Sequence, residues 1–315
     1  MKRILITGGA GFIGSNLAEK LLKTGRYEIS ILDIKNNPTN LEKIREKINY
    51  INGDIRKENL LDGVLKTGGF DGVIHLAAVS RVVWGENEPE RCESTNIGGT
   101  NLLMQSISHL KDKPWVIFGS SREVYGEQST LPVKESARKM PINIYGKTKL
   151  EGEKIVIQQS KNFNINAIIL RFSNVYGNER DILDRVIPKF IIKALQGEPL
   201  EIQGGHQIFD FTHVDDTVRG IISAMKHLSK EENGTLLEDF HILTGNPTKI
   251  IDLPYLISKY TETHVKIKFT NPRDYDVGKF YGDPSKAKNL LGFAAKISID
   301  EGIKTSVKRF MEAFA

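Results

Sequence analysis

The chain has 315 residues, 39% hydrophobic and 26% charged, enough apolar material for one large α/β domain or a large domain with a smaller lobe. Its formal charge of +5 is spread without a basic run, which excludes a nucleic-acid arm, and no apolar stretch approaches membrane-spanning length. A single cysteine, Cys92, excludes a disulfide scaffold, and the short N-terminal apolar run breaks at once into glycines, so a soluble, cytoplasmic protein is expected.

Short apolar runs alternate with longer amphipathic segments, the pattern of a parallel sheet covered by helices. Residues 4–7 read as a first strand, and 12–23 as a helix with Ile13, Leu17, Leu21 and Leu22 on one side. Strands follow at 28–33, 49–53, 72–77 and 114–118, with a helical crossover at 95–110. A long helix occupies 145–159 and a sixth strand 167–171. Beyond Asn174 the rhythm loosens: 188–196, 214–227 and 250–260 read as helices, 244–247 and 270–282 as loops. The fold class expected is α/β. A doubly wound parallel sheet of the Rossmann type spans 1–173, and a smaller C-terminal α/β substrate lobe spans 174–315, with part of 205–230 returning to the sheet. No Gly-, Ser- or Pro-rich linker separates the two, so they should enclose a cleft.

Gly8-Gly9-Ala10-Gly11-Phe12-Ile13-Gly14 lies between the first strand and first helix, where glycines permit a tight turn and a close approach to a pyrophosphate. Phe12, Ile13 and Gly14 open that helix, whose free N–H groups and positive dipole end face the phosphates. Asp33 ends the second strand about twenty residues beyond the last glycine, where an acid accepts bonds from the adenosine ribose and repels a 2′-phosphate. NAD is therefore expected over NADP, with Lys35 a nearby dissenting charge. Asp54 and Ile55, after the third strand, either flank the adenine or form a plain turn.

Tyr145 and Lys149 are four apart at a helix start and share one face. A nearby ammonium and a positive nicotinamide ring both favour phenolate, which makes the tyrosine a usable base, and Lys149 can also bond the nicotinamide ribose. The fifth strand runs into Ser120-Ser121-Arg122-Glu123-Val124-Tyr125-Gly126, which points a serine into the crevice where ligands of such sheets bind.

These segments, with His75-Leu76-Ala77-Ala78, Arg171-Phe172-Ser173-Asn174-Val175-Tyr176-Gly177, Asp210-Phe211-Thr212-His213-Val214-Asp215-Asp216 and Arg273-Asp274, resemble in order the extended short-chain dehydrogenase/reductase family, specifically its nucleotide-sugar epimerases and dehydratases. The resemblance implies Ser121, Tyr145 and Lys149 as the catalytic set. It places Leu76, Ala77, Ala78 and Asn96 at the cofactor, Asn96 chiefly as structural support. Asn174 and Arg273 would meet the nucleotide diphosphate, with Ser80 and Arg81 beside the sugar. His75 is read as a packed strand end, and no metal is expected.

Two departures stand out. Phe209 occupies the place where the family commonly has a diphosphate-binding arginine, leaving Arg273, Lys189 or Arg180 to carry that load. Glu123 resembles the glutamate by which dehydratases remove a C5 proton, and can equally be a salt-bridged side chain. The leading reading is a UDP-sugar 4-epimerase working through a 4-keto intermediate, catalytic Glu123 marking a 4,6-dehydratase or decarboxylase as the alternative. A non-catalytic NAD-binding protein is the reading from another class, opposed by the complete Ser-Tyr-Lys set. A homodimer through helices 95–110 and 145–159 is implied by the resemblance, with no nucleic-acid or membrane partner.

Overall fold

The structure, a computed structural model, describes residues 1–229 and 235–314. Residues 230 and 315, at the ends of the spans 205–230 and 174–315, lie outside the described residues.

Along the chain come β1 (Lys2–Thr7), β2 (Tyr27–Asp33), β3 (Asn49–Asn52), β4 (Gly72–His75), β5 (Trp115–Ser121) and β6 (Ala167–Phe172). Then follow β7 (Asn174–Tyr176), β8 (Leu200–Gln203), β9 (Ile208–His213), β10 (Leu237–Ile242), β11 (Pro247–Lys249), β12 (Ile267–Thr270) and β13 (Lys279–Phe280). The helices are α1 (Phe12–Leu22), α2 (Glu58–Gly68), α3 (Val82–Asn87), α4 (Pro89–Glu93), α5 (Thr100–Ser108), α6 (Ile144–Phe163), α7 (Val186–Leu195), α8 (Val214–Leu228), α9 (Leu253–Thr261) and α10 (Ile299–Phe314).

The large sheet has seven parallel strands in the order β10-β6-β5-β4-β1-β2-β3. Its direction of winding reverses between β1 and β4, so a crevice opens outside their carboxyl ends. β4 and β6 are buried at every residue, as expected of strands covered on both faces. α1 buries Phe12, Leu17, Ala18 and Leu21 against one face, and α5 with α6 covers the other.

More of the C-terminal half enters this sheet than the sequence suggested. α8 packs beside α1 and against β5 and β6, and β10 pairs with β6 in parallel as an edge strand. β10 was missed because Leu237–Ile242 carries Glu238, Asp239 and His241 between its apolar residues, which reads as surface. Those polar groups find partners: Asp239 faces Arg171, and the His241 N–H donates to Glu135. The loops expected at 244–247 and 270–282 also carry short strands, because β9 offers edges on which β11 and β13 pair. The crossover expected as one helix over 95–110 begins as a π-helical turn at Ser94–Gly99 before α5.

β7, β9, β11 and β13 form a second small sheet, and β8 pairs with β12. With α7, α9 and α10 they enclose a separate core around Phe190, Ile202, Phe280 and Phe310. The cleft lies between this core and the crevice of the large sheet.

Candidate active site

The cleft has a volume of about 770 Å³ and runs from the glycine turn to the second core. At its near end Gly8 has φ of +70°, and a side chain there would meet the Ala77 backbone nitrogen at 2.5 Å. A Cβ on Gly14 would come within 2.6 Å of the Gly9 Cα, so its glycine is what lets α1 close on the turn. Gly11 caps α1 and meets only the Gly8 carbonyl oxygen, at 3.2 Å, so its open side faces the cleft. Phe12, Ile13, Leu76, Ala77 and Ala78 line the same stretch.

Asp33 is 8% exposed and lines the cleft. Its carboxylate accepts from the Ala10 N–H at 2.9 Å and from the Lys35 N–H at 3.1 Å, which fixes the acid against the glycine turn. The Lys35 ammonium bends to the Ala10 carbonyl oxygen at 3.2 Å. Asp54 and Ile55 also line the cleft, but Arg56 grips both Asp54 oxygens, at 2.6 to 3.0 Å.

Asn96 was expected at the cofactor chiefly as structural support. It is not among the lining residues; its amide instead bonds both backbone groups of Val79 and the Thr148 hydroxyl, tying the loop after β4 to α6. With 2% exposure and its amide committed to those bonds and one to Cys92 Sγ, it braces the cleft wall from behind. His75 lies between the hydroxyls of Thr7 and Thr100, and burial pushes its imidazole down to about 3, so it stays neutral.

Ser121, Tyr145 and Lys149 do meet in the cleft. Asn143 starts α6 by accepting from the Gly146 N–H at 2.8 Å, and this fixes Tyr145 in the first turn. Tyr145, Lys149 and Glu153 then form one buried stripe on α6. Burial pushes the Tyr145 phenol up to about 12, although the Ser121 hydroxyl and the charge of Arg185 pull the other way. Burial likewise pushes the Lys149 ammonium down to about 8. The Lys149 charge expected from the sequence to favour phenolate is not among the influences on Tyr145 in the protein alone; desolvation dominates both groups.

Below this set is a buried charge cluster. Glu153 accepts from Ser120 Oγ at 2.6 Å and from Arg171 Nε and Nη2, each at 2.8 Å. Arg171 also reaches Asp239 and the Tyr125 hydroxyl, and Tyr125 bonds His241 at 2.7 Å. The cluster joins β5, β6, β10 and α6 beneath the reacting groups.

Glu123 is 6% exposed with both oxygens occupied: Oε1 lies 2.9 Å from Arg122 Nη2, and Oε2 accepts from Asn143 Nδ2 at 2.7 Å. Arg122 stands over the ring of Phe209. Ser80, Arg81, Asn174 and Arg273 all line the cleft. Arg81 pairs with Asp184, Arg273 Nε donates to Asp276 at 2.7 Å, and Asn174 accepts from Arg122.

Sequence reasoning missed Arg122 as a lining cation, along with the strap that follows β7. Asn178 donates to Asn16 at 2.8 Å and Arg180 pairs with Glu19 at 2.6 Å, which pins the strap to α1 beside the glycine turn. Burial opposes ionisation of Glu19, yet Lys23 and Arg180 hold its carboxyl at about 2. The alternating charges of Asn178–Arg185 were the available signal.

A glycine turn at the switch point of a doubly wound sheet, with serine, tyrosine and lysine gathered at the same end, defines a dinucleotide-dependent enzyme. Residues 4–238 match the model of the NAD dependent epimerase/dehydratase family. The chain is 34% identical over 310 residues to a putative UDP-glucose 4-epimerase of Methanocaldococcus jannaschii, covering 96% of this chain and 97% of that one. The UDP-glucose 4-epimerase of Thermotoga maritima, solved with UDP-glucose, superposes with a TM-score of 0.91 at 31% identity, covering 99% of this chain and 100% of that one. The UDP-glucuronic acid 4-epimerase of Bacillus cereus, solved with its sugar nucleotide and NAD, gives 0.88 at 29%, covering 99% of each. This chain belongs to the NAD-dependent epimerase/dehydratase family, and its cofactor is NAD.

Proposed function

We propose that the protein inverts C4 of a UDP-sugar through a 4-keto intermediate. The observation that carries this reading is that Ser121, Tyr145 and Lys149 line one cleft, with Lys149 fixed by its bond to the Gly119 carbonyl oxygen. When bound, NAD would supply a reversible hydride acceptor for C4. Gly8, Gly11 and Gly14 would hold its pyrophosphate and Asp33 its adenosine ribose, with Asp54 and Ile55 near the adenine. Tyr145 removes the C4 hydroxyl proton and later gives it back, Ser121 orients that oxygen, and Lys149 favours the phenolate. Ser80 and Arg81 face the sugar and Asn174 and Arg273 the diphosphate. The large sheet with α8 and β10 serves as the cofactor half, and the second core as the substrate half.

A 4,6-dehydratase relative also superposes: DesIV of Streptomyces venezuelae, at a TM-score of 0.90 and 26% identity, covering 98% of this chain and 97% of that one. Glu123 favours the epimerase reading, because each of its two oxygens is already engaged, one by Arg122 and one by Asn143. Two further parts of the proposal are a homodimer built on α5 and α6, which pack together on one face of the large sheet, and a location in the cytoplasm, consistent with a buried, unpaired Cys92.

The test is NMR of the products from a panel of UDP-hexoses and UDP-uronates incubated with the protein and NAD. C4 epimers with wild type, and none with Tyr145→Phe, are expected. A 4-keto-6-deoxy or pentose product that Glu123→Gln abolishes would replace this reading with elimination or decarboxylation.

A further inference from the structure

Tyr145 lies in the first turn of α6, and residues from two elements hold the amides that open this helix. Asn143 takes two of them: its side chain accepts from the Gly146 N–H at 2.8 Å and its carbonyl oxygen from the Lys147 N–H at 3.0 Å. The Ile144 N–H donates instead to Glu86 Oε1, at 2.8 Å. Glu86 stands 58 residues earlier, on α3, and this amide is the one hydrogen-bond donor its carboxylate meets among the described residues. The opening amides of a helix have no partners within it, so an acceptor brought from another element fixes where the first turn lies.

α3 also touches Tyr145 directly. Gly85 is buried, and a Cβ there would lie 3.1 Å from the Tyr145 backbone nitrogen and 3.4 Å from the Tyr145 Cβ. Glycine at 85 and glutamate at 86 therefore seat α3 against the backbone that carries the phenol. The preceding residues serve the cleft: Val82, Val83 and Trp84 line it, whereas Gly85 and Glu86 do not. Arg81, just before α3, has its guanidinium carbon 5.5 Å from the Trp84 ring centroid and pairs with Asp184 of the strap. Contacts thus run from the strap through α3 to the first turn of α6.

A tyrosine that exchanges a proton with a substrate hydroxyl has to stand within hydrogen-bond reach of it. A displacement of about 1 Å in a reacting group costs on the order of a hundredfold in rate. Loss of the Glu86 acceptor frees the Ile144 amide and loosens the turn that carries Tyr145, while the glycine turn and the second core keep their contacts.

We propose that Glu86 is a positioning residue for proton transfer at Tyr145, fixing the first turn of α6 against α3 without itself meeting substrate or cofactor. This rests on Tyr145 as the acid–base group of the proposed function.

Two variants of the NAD-loaded protein test it: Glu86→Ala removes the acceptor, and Glu86→Gln keeps a neutral one in its place. Hydrogen exchange read by NMR follows the Ile144 amide, and product formation from the UDP-sugar that wild type turns over gives kcat and KM. In Glu86→Ala the amide should exchange at least about tenfold faster, and kcat should fall at least about tenfold with KM and bound NAD within about twofold of wild type. Glu86→Gln should recover most of both losses. An unchanged kcat or unchanged exchange in Glu86→Ala, a loss shared equally by KM and bound NAD, or no recovery in Glu86→Gln overturns the proposal. A 4-keto or pentose product showing the same split upholds the role of Glu86 and removes the epimerase reading instead, since those reactions also begin by taking the C4 hydroxyl proton. C4 inversion that Glu86→Ala leaves at full rate does the reverse.

Discussion

Lys149 Nζ donates to the carbonyl oxygen of Gly119 at 2.6 Å, joining α6 to the end of β5 directly beneath Ser121. The bond positions the ammonium but does not repay its burial, since the group is 4% exposed and pushed down to about 8. An unfolded chain keeps this proton until its ordinary value near 10.5. Between those values the unfolded state binds more protons, so stability rises with pH, by up to about 3 kcal/mol in total. Thermal midpoints of the cofactor-free protein should rise from pH 7.5 to pH 9. Lys149→Met should flatten much of that rise while losing activity; an unchanged pH slope in the variant would show that the ammonium is not desolvated as described.

The glycines of the turn separate into two kinds. A methyl on Gly14 meets fixed backbone at 2.6 Å, so Gly14→Ala should cost about 1–3 kcal/mol of stability as well as cofactor. Gly11 has only the Gly8 oxygen nearby, at 3.2 Å, so Gly11→Ala should keep its thermal midpoint within a few degrees and lose NAD by crowding the phosphates. Midpoint and bound-NAD content, measured on the same samples, check both; full NAD content in Gly11→Ala would contradict the placement of the pyrophosphate.

The cluster beneath the site should behave as a structural unit. Glu153→Ala removes the bidentate partner of Arg171, which is 2% exposed, and should cost about 3–5 kcal/mol. Urea unfolding of the variant checks this. A loss below about 1 kcal/mol would mean that Asp239 and Tyr125 suffice to hold the guanidinium.

The strap after β7 should govern how firmly the cofactor is kept. Arg180→Ala breaks the pairing with Glu19, and Asn178→Ala the bond to Asn16. Gel filtration of the double variant should strip NAD that wild type retains; equal retention would leave the strap no part in closing the cofactor slot.

The cofactor end of this protein was legible because it is local. A strand, the glycine turn and a helix lie within Lys2–Leu22, and Asp33 ends the next strand, so spacing alone places them together. The Ser121, Tyr145 and Lys149 set was legible through its order along the chain. Long-range pairings were not: β10 joins β6 across the width of the second lobe, and its buried acid and histidine look like surface until Arg171 and Glu135 are seen beside them. Asn96 illustrates the converse, since its position in a motif gave no hint that Val79 and Thr148 take its amide. Arg122 was not singled out, because stacking on Phe209 from a different strand leaves no trace in spacing.

The most direct test of the account is to follow the hydrogen on C4 itself. UDP-sugar carrying deuterium at C4 is incubated in ordinary water with the NAD-loaded protein, and the product is read by NMR and mass spectrometry. The account predicts inverted C4 with deuterium retained and no solvent hydrogen at C5, since the same hydrogen leaves and returns while Tyr145 carries only the hydroxyl proton. Inversion with deuterium washed out to solvent, or solvent hydrogen incorporated at C5, would contradict it.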